Sequence, residues 1–409
     1  MNPAIVISAY NRPQALQRLL DSLGRIQYRD QGSIPLLISI DSAESQPEVV
    51  KIAQKFQWQY GSKEIILREK QLGPIGHFYA CGNLAEDLGA IVYLEDDLVV
   101  SPVFYSYAHQ ALSFFGDDER IGGFSLYSLW FNGYTQEPFT PLSDDADSFF
   151  IQLPYTQGQI FTGEQWQRFR TWRLNEQPDD LNRRKMHPAW FHFRSDEWFP
   201  VMARYLISTG RYYVFPRVSQ TSGFGDAGTH FDQATGFFQA PLQREKQHYT
   251  FKPLDDSLAV YDSFFEILPE RLNRMAPFLS GYEYTVDLYG NRTRQNILTD
   301  YVLTSRPCLH PILSFGKTMH PMEVNIEQVV PGKGISLCRT PDLRWDRISE
   351  LELRQSNYDY FTHGKQLGEK AKLQYGAIRV YRKVRDFFRV LLSDLKDHIR
   401  KPSSFWKKA

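Results

Sequence analysis

Three carboxylates stand side by side in IVYLEDDLVVSP, Ile91 to Pro102: Glu95, Asp96 and Asp97, with apolar residues on both flanks. Adjacent anions repel each other, and desolvating even one is costly unless a cation or hydrogen-bond donors answer it. Hard divalent cations such as Mg2+ and Mn2+ take oxygen ligands, and Mg2+ binds through one or two carboxylates together with substrate phosphates. The cluster therefore suits a metal-bridged diphosphate. A solvated acidic turn is the alternative, and the apolar flanks leave it little room. A second acidic group lies in HFRSDEWF, where Asp196 and Glu197 are adjacent. One carboxylate suffices to take a proton from a hydroxyl nucleophile. If the pair sits on a helix, neighbours diverge by about 100°, so a single one faces any given cleft. Ser195 followed by acids also reads as a helix N-cap, which is compatible with that role. In GFGDAGTHFD, Gly223, Gly225 and Gly228 give the freedom of a loop closing over a bound diphosphate, with His230 within reach of it, or of a plain turn.

The first hundred residues alternate short apolar runs with amphipathic patterns: AIVIS, PQALQRLLDSLGRI, PLLISID, PEVVKIAQKF, EIILRE and AIVYLED. That alternation predicts a parallel α/β sheet. Leu16, Leu19, Leu20 and Leu23 recur at helical spacing behind Pro13, which suits a first helical turn, and belong to the core. In such sheets ligands bind at the carboxyl ends of the strands. Four groups occupy those places: Tyr10-Asn11-Arg12, Asp41-Ser42, QLGPIGHF with His77, and the acidic triplet. The polar run RLNEQPDDLNRRKMHP is expected to be a loop or lid, and HFRSDEWFPVMARYLISTG a helix. YYVFPRVSQTSGFGDAGTHFD reads as a short strand entering the Gly-rich loop. From about Phe251 to Trp345 the segments look irregular.

Composition narrows the classes. Lys plus Arg and Asp plus Glu each number 47, so the formal charge is zero and no polyanionic partner such as nucleic acid is indicated. The three cysteines, Cys81, Cys308 and Cys338, have neither metal-ligand nor redox-pair spacing, which suits a reducing compartment. No window approaches the roughly 18 apolar residues of a spanning helix, and MNPAIVISAYNRP has no basic region ahead of an apolar stretch. A cytoplasmic location is the expectation.

In the order of these motifs, over residues 1 to 235, the chain resembles the GT-A class of nucleotide-sugar glycosyltransferases. Within it, the chain looks most like the N-acetylglucosaminyltransferase I type, which moves GlcNAc from UDP-GlcNAc to a mannose. That family carries an EDD form of the DxD motif in a setting like YLEDDLVVSP. It also has an Arg after the first strand, an Asp after the second, a His upstream of EDD, and an Asp beside a Trp as base. A loop resembling VSQTSGFGDAGTHFD follows. The resemblance implies a Rossmann-like, mostly parallel central sheet with flanking helices, plus a C-terminal extension. It implies Asp97 as ligand to Mn2+ or Mg2+, Glu95 and Asp96 against the ribose and the metal's water shell, and Ala9, Arg12, Asp41 and His77 around the nucleotide. Gly225 and His230 would lie at the diphosphate. Asp196 would be the base of an inverting transfer, with Glu197 the alternative by a one-residue slip. Asp41 could otherwise cap the PEVVKIAQKF helix or its turn, Arg12 could be a surface charge, and His77 a helix-start residue.

Three regions follow: a catalytic domain over 1–250, an accessory region over 251–345 on the acceptor side, and a tail over 346–409. From Lys370 the tail holds twelve Lys or Arg against three Asp, and Ile378, Tyr381, Val384, Phe388, Leu391, Leu392, Leu395 and Ile399 form one apolar stripe. Such a helix either lies in an anionic membrane surface or docks on the domain. A cytoplasmic UDP-sugar enzyme with that tail would extend a lipid-linked saccharide for cell-surface polysaccharide. Two other readings share the architecture. A sugar-phosphate nucleotidyltransferase would carry a Gly-rich phosphate loop with Arg and Lys near the N-terminus, which SAYNRPQ lacks. A non-catalytic carbohydrate-binding protein would not need SDEW.

Overall fold

The computed structural model describes residues 2–28, 32–175, 180–194, 196–226 and 234–362. In chain order the elements are β1 (Ala4–Ala9), α1 (Pro13–Leu23), β2 (Leu36–Ile40), α2 (Gln46–Lys55), β3 (Lys63–Leu67), α3 (Gly73–Gly82), α4 (Leu84–Leu88), β4 (Ala90–Glu95), β5 (Leu98–Val100) and α5 (Phe104–Phe115). Then come β6 (Ile121–Ser125), β7 (Ser148–Ile151), β8 (Gln159–Thr162), α6 (Gly163–Asn175), α7 (Asp180–Lys185), α8 (Trp198–Thr209), β9 (Tyr212–Pro216), β10 (Thr221–Gly223) and β11 (Val260–Tyr261). The last group is α9 (Pro269–Met275), β12 (Tyr284–Asp287), β13 (Tyr301–Thr304), β14 (Pro311–Phe315), α10 (Glu323–Glu327), β15 (Ile335–Arg339) and α11 (Arg347–Phe361).

The strands β1, β2 and β4 are continuous apolar runs buried along nearly their whole length, the signature of strands covered on both faces. They lie side by side, inside the β3 edge, in a nine-stranded sheet of order β11-β7-β9-β6-β8-β4-β1-β2-β3. On one side β1, β2, β3 and β4 are parallel neighbours; β8 then pairs antiparallel with both β4 and β6. The α/β class with a mostly parallel sheet and flanking helices, expected from the sequence, is the one present. In α1, Leu16, Leu19, Leu20 and Leu23 are fully buried against this sheet, and Pro13 occupies the first turn, where its missing N–H costs nothing.

Strand order decides where a ligand can sit. From β1 the chain moves outward to β2 and β3, then returns to place β4 on the other flank of β1, leaving a crevice outside the carboxyl ends of β1 and β4. At the end of β4 the chain turns through Asp96 and Asp97, leaves the large sheet and pairs β5 antiparallel with β10. The acidic triplet thus lies at a corner between two sheets.

Three expectations need correction. The run expected to be a loop or lid contains the end of α6 and α7, and Arg183, Arg184 and Lys185 in the last turn of α7 are exposed. The helix expected over SDEW begins only at Trp198. The segment from Phe251 to Trp345 carries a four-stranded sheet, β12-β13-β15-β14. Described residues up to Asn357 form one compact unit, a second begins at Tyr358, and the basic tail from Lys370 lies outside the described residues. No described helix is long and apolar enough to cross a membrane.

Candidate functional site

The corner is held by one cation. Arg12, in the connection between β1 and α1, donates from Nη2 to Asp96 Oδ1 at 2.5 Å and from Nη1 to Asp97 Oδ2 at 3.0 Å. The Tyr10 backbone N–H donates to Asp96 Oδ2 at 3.3 Å, and the Asp96 N–H donates to the Ser8 carbonyl at 3.1 Å. Asp96 is buried, whereas the Asp97 side chain is 33% exposed and opens the corner to solvent. Burial pushes the Asp96 carboxyl up to about 6, with Arg12 opposing and Asp97 adding to the shift. Glu95 goes further, to about 8, through burial and then the repulsion of Asp97 and Asp96. Burial works against the charge of Arg12, and the two aspartates more than offset it, raising its value. One guanidinium is shared by two aspartates, so the corner keeps a surplus of negative potential.

Asp41 and Ala9 meet at the neighbouring strand end, where the Asp41 N–H donates to the Ala9 carbonyl at 2.9 Å. The Asp41 side chain does not cap α2. Its Oδ1 accepts from the Ser42 and Leu72 N–H groups, each at 2.9 Å, and its Oδ2 from the Gly73 N–H at 2.9 Å. Gly73 opens α3, so Asp41 ties the end of β2 to the start of that helix, satisfying donors that an N-terminus leaves unpaired. His77, also on α3, faces inward: Nδ1 is 3.0 Å from Ser8 Oγ and Nε2 is 2.8 Å from Ser39 Oγ. Burial lowers its value to about 4, with Asp41 opposing, so the ring is neutral and bridges β1 and β2. Both residues were expected to touch the nucleotide, yet Asp41 is only 2% and His77 only 3% exposed, with partners inside the fold. They form the floor beneath the crevice.

The same helix reaches the other acidic group. Phe78, next to His77, stacks on Trp198 at the start of α8 with centroids 4.0 Å apart. Asp196 and Glu197 immediately precede Trp198, outside the helix, so the divergence of helical neighbours does not separate them. Glu197 is the N-cap, without a side-chain cap bond, in place of the expected Ser195, which lies outside the described residues. Asp196 accepts from Arg194 Nη2 at 2.8 Å and from Nε at 3.0 Å, and this exposed pair holds its carboxyl below the usual range. Burial pushes the neighbouring Tyr79 hydroxyl up to about 12, with Arg173 opposing and Glu197 and Asp196 adding. The Phe78–Trp198 stack brings the residues just before α8 beside α3.

Across the corner, the Phe224 N–H donates to the Asp97 carbonyl at 3.1 Å, placing the beginning of the Gly-rich loop against the triplet. Gly225 has φ +71, and a Cβ there would come 1.9 Å from the Thr235 carbonyl oxygen, so no other residue fits. Arg18 of α1 pairs with Asp226 and lies 4.3 Å from the Phe224 ring, anchoring this stretch. Gly228 and His230 lie outside the described residues. Among the described residues, no three His, Cys, Asp or Glu side chains converge as a metal cage. The oxygen donors of a solvent-open Asp97 do fit a hard cation whose remaining ligands come from phosphate and water.

Sequence reasoning missed Arg68, at the end of β3. Its Nε donates to Ser39 Oγ at 3.1 Å, while Nη2 is buried without a partner. The rule of reading the residue after each apolar run would have found it in EIILRE. Gln71, between β3 and α3, was missed as well; its side-chain amide donates to the Tyr10 hydroxyl at 2.8 Å.

No protein-family model matches the chain. The likeness read from its motifs is met in a curated relative, the Arabidopsis thaliana alpha-1,3-mannosyl-glycoprotein 2-beta-N-acetylglucosaminyltransferase. That relative is 23% identical over 255 residues, covering 59% of this chain and 51% of that enzyme. The chain thus spans about half the length of the relative. Among solved structures, GalNAc-T7 with UDP, GalNAc and Mn2+ aligns at TM-score 0.37 and 11% identity, over 55% of this chain and 44% of that one. S. aureus TarS 1-349 in complex with UDP-GlcNAc aligns at TM-score 0.33 and 14% identity, over 53% and 59%. Structural likeness of that size transfers no chemistry.

Proposed function

We propose that the chain is a metal-dependent, inverting glycosyltransferase that moves a sugar from a UDP-sugar to a saccharide acceptor. The observation that most supports this reading is the meeting of Arg12, Asp96 and Asp97 at the crevice outside β1 and β4, where two aspartates share one guanidinium beside Glu95. The motif order shared with the N-acetylglucosaminyltransferase I type adds to it. A divalent ion, Mn2+ or Mg2+, held by Asp97 would supply positive charge to offset the departing diphosphate. Arg12 brings a fixed positive charge to the same corner, and Glu95 and Asp96 border the ribose. Ala9, Asp41 and His77 shape the floor on which the uridine rests. Gly225 lets the following loop, with His230, come close to the diphosphate.

Asp196, with Glu197 the alternative, accepts the proton of the acceptor hydroxyl as the anomeric carbon develops oxocarbenium character and the diphosphate departs from the opposite face. The stacked Phe78–Trp198 pair sets the position of that carboxylate relative to the floor. We assign the catalytic role to residues 1–250, the acceptor side to 251–345, and contact with an anionic membrane to the tail within 346–409. On this assignment the enzyme works at the cytoplasmic face on a lipid-linked saccharide for cell-surface polysaccharide. The test is a screen of UDP-sugars for Mn2+-dependent transfer and UDP release. Asp196→Asn should keep metal-dependent UDP binding and lose transfer by about 100-fold or more. Transfer at the wild-type rate in both Asp196→Asn and Glu197→Gln would overturn the base assignment.

A further inference from the structure

Cys308 and Cys338 are 30 positions apart in sequence and share no motif, yet the second sheet brings them together. Cys338 lies in β15, with Val302 of β13 and Pro311 of β14 as its register partners on either side. Cys308 lies in the connection from β13 to β14, three residues before Pro311, and forms an isolated bridge with Leu343. Both side chains pack into one small cluster with Ile297, Val302 and Leu343. Each is a free thiol; Cys308 is half-buried and Cys338 fully buried. The hydrogen bond from Cys338 lowers Cys308 to about 7, with burial opposing, while the same bond and burial raise Cys338. The thiolate is the nucleophile in thiol chemistry, so the accessible member of the pair is the reactive one. Cys81, buried in the first sheet's layer, is pushed up to about 11 by desolvation and stays a thiol.

We infer that Cys308 is a modification site for small disulfides such as oxidised glutathione, and that Cys338 resolves the adduct to an intramolecular disulfide. In the first step the Cys308 thiolate attacks one glutathione sulfur, the glutathione S–S bond breaks, and one glutathione leaves as thiolate and takes up a proton. In the second, Cys338 loses its proton and attacks the Cys308 sulfur, expelling the second glutathione, which takes up that proton. Two cysteine thiols are oxidised by two electrons, and one oxidised glutathione is reduced to two thiols.

The full chain is treated with oxidised glutathione at neutral pH, its thiols are counted after unfolding, and its peptides are weighed. The count should fall from three to one, with two hydrogens lost across a linked Cys308–Cys338 peptide pair and no glutathione retained; dithiothreitol should restore all three. Cys338→Ala should leave a glutathione on Cys308, and Cys308→Ala should leave the remaining thiols unmodified. An undiminished count in the wild type, or a stable glutathione on Cys308 beside a reduced Cys338, would overturn the inference. Neither readout depends on sugar transfer.

Discussion

Two buried aspartates in this protein are each paired with an arginine, yet their surroundings shift them in opposite directions from the ordinary carboxylate value. Asp144 accepts from Arg217 Nη2 at 2.8 Å, from Ser257 Oγ at 2.6 Å and from the Leu258 N–H at 3.0 Å. Burial pushes it up, but Ser257 and Arg217 hold it below the usual range. Asp96 has an even closer arginine, yet it rises to about 6, because burial is joined there by an acidic neighbour and the single cation is shared. One carboxylate is fully answered by the fold, and the other is left under repulsion at a solvent-open corner. Carboxylates of the first kind hold structure together; the second kind keeps a repulsion that its own arginine does not relieve.

Substitutions should separate the two kinds. Asp144→Ala leaves the Ser257 hydroxyl and the Leu258 N–H without their acceptor and takes the carboxylate from Arg217, which keeps the Ala146 and Pro141 carbonyls. The loss should be about 3 kcal/mol, read as a lowered denaturant midpoint, while metal-dependent UDP binding by the folded protein is unchanged. A loss below about 1 kcal/mol would erase the contrast.

Acid should expose the floor beneath the corner. The folded value of His77 is about 4, below its ordinary 6.5, so the unfolded chain binds the proton more readily between these values. Its contribution, on the order of 3 kcal/mol, is fully present above about pH 6.5 and is lost as pH falls towards 4. A His77→Gln variant, which keeps hydrogen-bonding capacity without titrating, should flatten that slope in urea midpoints measured across the window. An unchanged slope would mean that the ring is not held neutral.

The smallest effect is expected at the corner itself. Asp96→Asn removes a partner of Arg12 but also relieves the repulsion, so stability should change by no more than about 1 kcal/mol in either direction. A loss as large as that of Asp144→Ala would make Asp96 a structural aspartate.

Much of the first half of the fold was legible because its two periods alternate cleanly: apolar runs such as AIVIS and PLLISI against the leucine spacing of α1. Arg12 and the triplet were legible as strand-end residues. What could not be read was which way a side chain turns once several elements meet. Asp41 finds Leu72 and Gly73, some thirty residues onward, and His77 turns under the sheet to reach Ser8 and Ser39. The strands β12 to β15 are four or five residues long and are defined by pairings between distant segments, such as Tyr301 with Arg339, for which the local pattern carries no signal. The nearness of Cys308 to Cys338 has the same origin.

The central claim is that the open aspartate of the corner holds a cation which in turn holds a nucleoside diphosphate. Calorimetric titration of UDP, with and without Mn2+, into the wild type and Asp97→Asn tests it directly. The wild type should bind UDP on the order of 100-fold more tightly with Mn2+, and the variant should lose that gain while unfolding at the same denaturant concentration. Equal Mn2+ enhancement in both proteins, or none in the wild type, would contradict the account.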